Sequence, residues 1–171
     1  CGERLTVDNL IPEHLDSLLS KLEEIGVYLE IGQDYVVVSN VDHIKPTTIK
    51  TSVYPGFPTD LQQPFTVLLT QAEGKSKVVE TIWENRFMHV NYLNQLGSDI
   101  TIKNQTATIE GKTPLKGTEV VATDLRAGAA MVAAGLVAGG ETTITNVEHI
   151  LRGYENIVEK LSNVGAKIEL I

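Results

Sequence analysis

The same five-residue signal, Leu-x-x-(Ile/Leu/Val)-Gly, punctuates the chain three times, and each glycine is followed by alternating polar and apolar residues. The copies are Leu22-Glu23-Glu24-Ile25-Gly26, Leu93-Asn94-Gln95-Leu96-Gly97 and Leu161-Ser162-Asn163-Val164-Gly165. The runs that follow are Val27 to Ile31, Ser98 to Ile102 and Ala166 to Leu170. That order reads as a helix, a left-handed glycine just past its end, then a half-buried strand. Apolar stripes precede each signal: Leu15, Leu18, Leu19 and Leu22; Val90, Leu93 and Leu96, with Tyr92 beside them; Tyr154, Ile157, Val158 and Leu161. The middle stripe is the weakest of the three. Pro12 suits the first turn of the first helix. Each stripe stops after about three turns, which excludes a heptad coiled coil.

Further upstream, Gly2-Glu3, Gly74-Lys75 and Gly140-Glu141 occupy matching places, each before a short β-rich run: Leu5-Thr6-Val7, Val78-Val79 and Thr143-Ile144-Thr145. Helices introduced by Asp60 and Asp124 precede the second and third copies, and no such helix precedes the first. Copies one and two continue into a return strand, Tyr35 to Ser39 and Ala107 to Glu110, whereas copy three has none. The expectation is a fragment of a longer protein, or sheets completed by other segments. The repeating unit is helix, strand, helix, strand, strand. Its first helix is apolar nearly all round (Phe65, Val67, Leu68, Leu69; Ala129, Met131, Val132, Leu136, Val137), so it must be enclosed. Small residues from Gly128 to Gly135 permit close helix contact. The fold class expected is α/β (α+β), with pseudo-threefold repeats, central helices and outer sheets. One incomplete domain over 1–171 is expected, with a partial repeat at 1–57 and repeats at 58–121 and 122–171. Loops from His43 to Pro58 and from Gly111 to Thr123 lead into two Thr-Asp-Leu triplets, Thr59-Asp60-Leu61 and Thr123-Asp124-Leu125.

Composition narrows the function classes. A net charge of −8 argues against non-specific nucleic-acid binding, which needs a basic face. Hydrophobic content of 42% and charged content of 21% are globular values. A single cysteine, Cys1, excludes an intrachain disulfide and suits a reducing compartment, so a cytoplasmic protein is expected. No signal peptide is visible, and the most apolar run, Ala127 to Gly140, is too short to span a bilayer. The four histidines, His14, His43, His89 and His149, show no paired ligand spacing, so no metal site is expected. No phosphate loop or dinucleotide fingerprint is present, and Cys1 has no basic partner placed by sequence.

Candidate chemistry gathers at the triplets and the arginines. Pro55-Gly56-Phe57-Pro58 holds Asp60 at a helix entrance, where a Thr-Asp pair caps unpaired N–H groups. Capping accounts for Asp60 and Asp124 alike, and it lowers the basicity of Asp60. A rigid proline loop exceeds what a cap requires, which leaves Asp60 a second role as a carboxylate facing substrate. The chain has four arginines: Arg4, Arg86, Arg126 and Arg152. Arg126 opens one helix, Arg152 opens the third amphipathic helix, and Arg86 takes a similar place in the second. A cation at a helix N-terminus opposes the dipole unless an anion lies between, which points to a phosphate or carboxylate ligand. Structural pairing of each arginine with a nearby acid is the competing reading.

Four stretches carry a resemblance to a known family: Pro55 to Gln62, Glu84-Asn85-Arg86-Phe87-Met88-His89-Val90, Ala122 to Ala127, and Arg152-Gly153-Tyr154-Glu155. Together they closely resemble the UDP-N-acetylglucosamine 1-carboxyvinyltransferases, which are enolpyruvyl transferases. The resemblance implies an inverted α/β barrel, here its C-terminal portion. It implies transfer of the enolpyruvyl group of phosphoenolpyruvate to the 3-hydroxyl of UDP-N-acetylglucosamine, releasing phosphate, as the first committed step of peptidoglycan synthesis. It makes Asp60 the residue that holds and deprotonates the hydroxyl, Ile82 a backbone contact to the sugar nucleotide, and Arg126 and Arg152 the clamp on phosphoenolpyruvate. Asp124 stands beside them, and Arg86 matches another active-site arginine. No metal or organic cofactor is implied. The family's catalytic cysteine and its Lys-Asn pair lie in a domain this chain lacks, so the piece alone is expected to be inactive. A binding module that kept the fold, and the sister shikimate-pathway transferase, are the rival readings. Exposed apolar surface at the incomplete barrel would favour self-association.

Overall fold

The computed structural model describes residues 3–171, so Cys1 and Gly2 lie outside the described residues. In chain order the elements are β1 (Arg4–Asp8), a 3-10 turn (Pro12–Leu15), α1 (Asp16–Glu24), β2 (Leu29–Ile31), β3 (Tyr35–Ser39) and β4 (Thr48–Lys50). Then come α2 (Thr59–Thr70), β5 (Gly74–Val79), α3 (His89–Gln95), β6 (Asp99–Lys103), β7 (Thr106–Gly111) and β8 (Glu119–Val121). The last elements are α4 (Leu125–Val137), β9 (Thr143–Thr145), α5 (Glu148–Leu151) and α6 (Ile157–Asn163).

The repeated signal is a helix stop. Gly26, Gly97 and Gly165 have φ of 97°, 103° and 95°. In each copy the glycine N–H reaches back three residues and the next N–H reaches back five, as in Gly97 to Asn94 and Ser98 to Leu93. This is the Schellman arrangement, which satisfies carbonyls that the helix leaves open. The middle stripe, the weakest in sequence, is the best buried, with Val90, Leu93 and Leu96 all at 1% exposure or less. The third stripe is the least buried. α6 has no buried residue, and Tyr154 lies ahead of it in a turn.

Each return strand sits between its two partners. β3 pairs antiparallel with β1 and β2, and β7 pairs antiparallel with β5 and β6. Two strands lie in segments that the sequence reads as loops. β4 pairs parallel with β5 across α2, and β8 pairs parallel with β9 across α4. Both are three residues long and gain their pairing only through the crossover helix. The unit is therefore opened by a strand, ahead of its enclosed helix.

The run Ala166 to Leu170 does not form the expected strand. Its counterparts, β2 and β6, are held by β3 and β7, and no strand among the described residues runs beside 166–170. A groove of about 420 Å³ opens there instead, lined by Val132, Leu136, Ile144, Ile150, Ile157 and Ile168 among others.

α2 and α4 pack on each other, and α4 also touches α3 and α5. The main core combines Phe65 and Leu69 of α2 and Met131 of α4 with Ile49, Val78, Leu93, Leu96 and Ile109. Phe57 and Phe65 meet edge to face at 5.2 Å. Burying one such leucine contributes about 2 kcal/mol. Gly128 is required by packing, since a Cβ there would lie 2.4 Å from Ile150 Cγ1. No described helix is long and apolar enough to cross a membrane.

Candidate functional site

Two helix starts face each other where α2 meets α4. At the first, Pro58 occupies the N-cap without a side-chain bond, Thr59 is the first helical residue and Asp60 the second. Asp60 is therefore not a cap. Its Oδ1 accepts from Arg86 Nη2 at 2.9 Å and its Oδ2 from Arg126 Nη2 at 2.6 Å. At the second start, Asp124 is the cap that the sequence led us to expect. Its Oδ1 accepts from the backbone N–H groups of Arg126 (2.8 Å) and Ala127 (2.9 Å). The two identical triplets differ because α2 begins at the threonine and α4 begins at the leucine. Pro64 adds to the difference, since it has no N–H for the Asp60 carbonyl.

The electrostatics follow from this geometry. Partial burial works to raise the Asp60 pKa, but the hydrogen bond and charge of Arg126, with those of Arg86, outweigh it and hold the carboxyl below the usual aspartate range. Asp60 in turn raises the Arg126 pKa, chiefly through the hydrogen bond. The Arg86 side chain is only 17% exposed and also lies over the Trp83 ring, 5.9 Å from its centroid. Asp60 and Arg126 are open to solvent at 50% and 38%. The anion expected beside Arg126 and Arg86 is, in this structure, the chain's own Asp60.

Arg152 departs from expectation. It does not open an amphipathic helix but caps the C-terminus of α5, five residues ahead of α6, where a cation agrees with the dipole. It is exposed, and among the described residues it has no ion pair. Its neighbour Gly153 packs so closely on Leu125 that a Cβ would sit 2.5 Å from Leu125 Cδ1. That contact ties the end of α5 to the start of α4, beside Asp124 and Arg126.

Ile82 stands in the turn after β5 and is 39% exposed. Its N–H is already used, donating to Glu80 Oε1 at 2.8 Å. Its carbonyl accepts no hydrogen bond among the described residues, so that oxygen is the backbone atom left for a ligand. Glu80 itself escaped the sequence reading. It is 1% exposed, and the only signal for it was a lone acid directly after a half-buried strand.

The paired helix starts of this α/β repeat thus present one carboxylate, Asp60, to two arginines. The chain belongs to the EPSP synthase (3-phosphoshikimate 1-carboxyvinyltransferase) family, whose pattern matches residues 1–161. It is 53% identical over 164 residues to the UDP-N-acetylglucosamine 1-carboxyvinyltransferase 2 of Geobacillus kaustophilus (strain HTA426), covering 96% of this chain and 38% of that protein. It is 50% identical over 167 residues to the protein of the same name from Listeria monocytogenes serovar 1/2a, covering 98% and 40%. The crystal structure of the enolpyruvyl transferase NikO from Streptomyces tendae superposes with a TM-score of 0.91 at 30% identity, over 99% of this chain and 40% of that one. The EPSP synthase from Acinetobacter baumannii shares the fold, with a TM-score of 0.64 at 19% identity over 85% of this chain and 36% of that one. The chain thus spans about two fifths of the length of the curated relatives it matches.

Proposed function

We propose that this chain carries half of the active site of a UDP-N-acetylglucosamine 1-carboxyvinyltransferase, working in the bacterial cytoplasm at the first committed step of peptidoglycan synthesis. The observation that carries the reading is Asp60 held between Arg86 and Arg126, in a chain half identical to proteins bearing that name.

The sugar 3-hydroxyl donates to Asp60 and adds through its oxygen to C2 of phosphoenolpyruvate, while C3 takes a proton from a donor outside this chain. Loss of a C3 proton then expels inorganic phosphate and restores the double bond. Arg126 and Arg152 bind the phosphate and carboxylate charges by forked hydrogen bonds. Arg86 stays with Asp60 and orients it, Asp124 holds the first turn of α4, and the Ile82 carbonyl accepts from the sugar nucleotide.

The resting pair makes Asp60 a weak base, since both arginines favour its ionised form. An anionic substrate that draws Arg126 away raises the Asp60 pKa and restores its basicity when the hydroxyl is in place. This couples deprotonation to phosphoenolpyruvate binding. The experiment is phosphate release by the full-length enzyme carrying this chain, with phosphoenolpyruvate and either UDP-N-acetylglucosamine or shikimate 3-phosphate. Release with the first acceptor alone is expected. Release only with the second would transfer the assignment to the sister reaction.

A further inference from the structure

Glu80 is a buried carboxylate that no ion pair neutralises among the described residues. Neutral donors surround it instead. Its Oε1 accepts from Thr51 Oγ1 at 2.8 Å, from the Ile82 N–H at 2.8 Å and from the Trp83 N–H at 3.2 Å. Its Oε2 accepts from Thr59 Oγ1 at 2.9 Å. The Glu80 N–H donates to the Gln105 carbonyl at 2.9 Å, on the hairpin between β6 and β7. Thr51 closes a smaller ring, since its hydroxyl accepts from the Thr81 N–H at 2.8 Å and its carbonyl accepts from Thr81 Oγ1 at 2.6 Å.

One carboxylate therefore fixes the end of β4, the first residue of α2 and the turn after β5. A buried carboxylate costs stability unless every lone pair is engaged, and here four donors engage it. A hydroxyl or amide cannot accept four bonds at these positions. The groups it spaces apart are Thr59, next to Asp60, and Ile82, whose carbonyl is free. We propose that Glu80 is a positioning residue for the acceptor side of the site, setting the distance between Asp60 and the Ile82 carbonyl without touching substrate. The arginines meant for phosphoenolpyruvate stand on α4 and at the end of α5, elements to which Glu80 makes no hydrogen bond, so the two substrates separate in the test. This inference rests on the acceptor assignment made above.

In the full-length enzyme, Glu80→Ala is expected to raise the KM for UDP-N-acetylglucosamine about tenfold or more, with the KM for phosphoenolpyruvate changed less than about threefold. Glu80→Gln keeps the acceptor toward the turn and is expected to recover most of that loss. Equal rises in both KM values, or no rise in either, would overturn the proposal. Should Glu80→Ala fail to fold, Thr51→Val keeps the shape while removing one donor to Glu80 together with the acceptor of the Thr81 N–H, and a severalfold rise in the same KM is expected. An unchanged value in that variant counts against the role. Amide hydrogen exchange separates this inference from the functional reading. Faster exchange at Thr81 in Glu80→Ala, or at Ile82 and Trp83 in Thr51→Val, relative to Leu69, shows the turn released beyond the bond that each variant deletes, whatever acceptor the enzyme takes. Unchanged exchange overturns the positioning role even if the transferase activity is as proposed.

Discussion

The Asp60 carboxylate meets the Arg126 guanidinium at 2.6 Å across 66 positions of sequence. Each is the second residue of its helix, α2 and α4. An acid there agrees with the helix dipole and a base opposes it, so Asp60 stabilises its own helix start and offsets the misplaced charge of the other. On the proposed function, a ligand anion that takes over the second task would free Asp60 to meet an acceptor hydroxyl.

Removing the carboxylate separates these roles. In the full-length enzyme, Asp60→Ala is expected to lower phosphate release by at least about a hundredfold, the loss typical of a positioned proton acceptor. Phosphoenolpyruvate binding should hold or tighten, because Arg126 no longer has an internal partner. Near-normal turnover would remove Asp60 from catalysis, and weakened phosphoenolpyruvate binding would mean that the carboxylate preorganises the arginines. Steady-state kinetics with a direct binding titration reads both.

Arg152 makes the opposite prediction. With no ion pair among the described residues, its truncation should change folding stability by no more than about 0.5 kcal/mol. The KM for phosphoenolpyruvate should nevertheless rise about tenfold or more, as for loss of a hydrogen bond to a charged group. A lowered unfolding midpoint with unchanged KM for Arg152→Ala would make it structural.

What the sequence showed and what it hid divide along the range of the interactions. The three helix stops were legible because a Schellman turn is written in consecutive residues, here Leu93 to Ser98. β2 and β6 were legible from alternation after the glycines, β1 and β5 as short β-rich runs, and β3 and β7 as the strands that return beside them. β4 and β8 were not, because three residues carry no period and their parallel partners lie beyond a helix. The expected strand at 166–170 failed for the same reason in reverse: its pattern is right, but pairing needs a neighbour. At the site, Asp124 behaves as its triplet reads. Asp60 does not, since its helix begins two residues earlier in the triplet and its partners come from 26 and 66 positions away. Glu80 was hidden altogether, as its four donors come from three separate segments.

The glycine stops can be tested one at a time. Gly97 has φ of 103°, and the space beside it is ordinary, with Pro114 O at 3.5 Å from an added Cβ. The cost of Gly97→Ala is therefore conformational rather than steric, about 1–2 kcal/mol. Urea unfolding should show a lower midpoint with an unchanged slope, and an unchanged midpoint would mean that the turn adapts to an αR residue.

His89, the first residue of α3, links the fold to pH. Its side chain is fully buried, tilted against Phe87 at a centroid distance of 6.3 Å, and neither ring nitrogen makes a well-formed hydrogen bond. Burial pushes its pKa down from 6.5 to about 4, against the pull of Asp124 and of the Arg86 backbone. The unfolded chain therefore binds a proton near pH 6.5 that the folded chain refuses until about pH 4. The stability owed to neutral His89 is complete above pH 6.5 and falls as pH drops toward 4, by about 3 kcal/mol in all. Asp60 adds to acid sensitivity only lower, below the ordinary aspartate range, because its folded pKa is depressed. His89→Leu, close in volume and without a proton to bind, should flatten the stability profile between pH 6.5 and 4 while leaving the lower loss in place. Equilibrium unfolding of the full-length enzyme and this variant at stepped pH reads the difference. Parallel profiles would show that His89 is already protonated in the fold, held by Asp124.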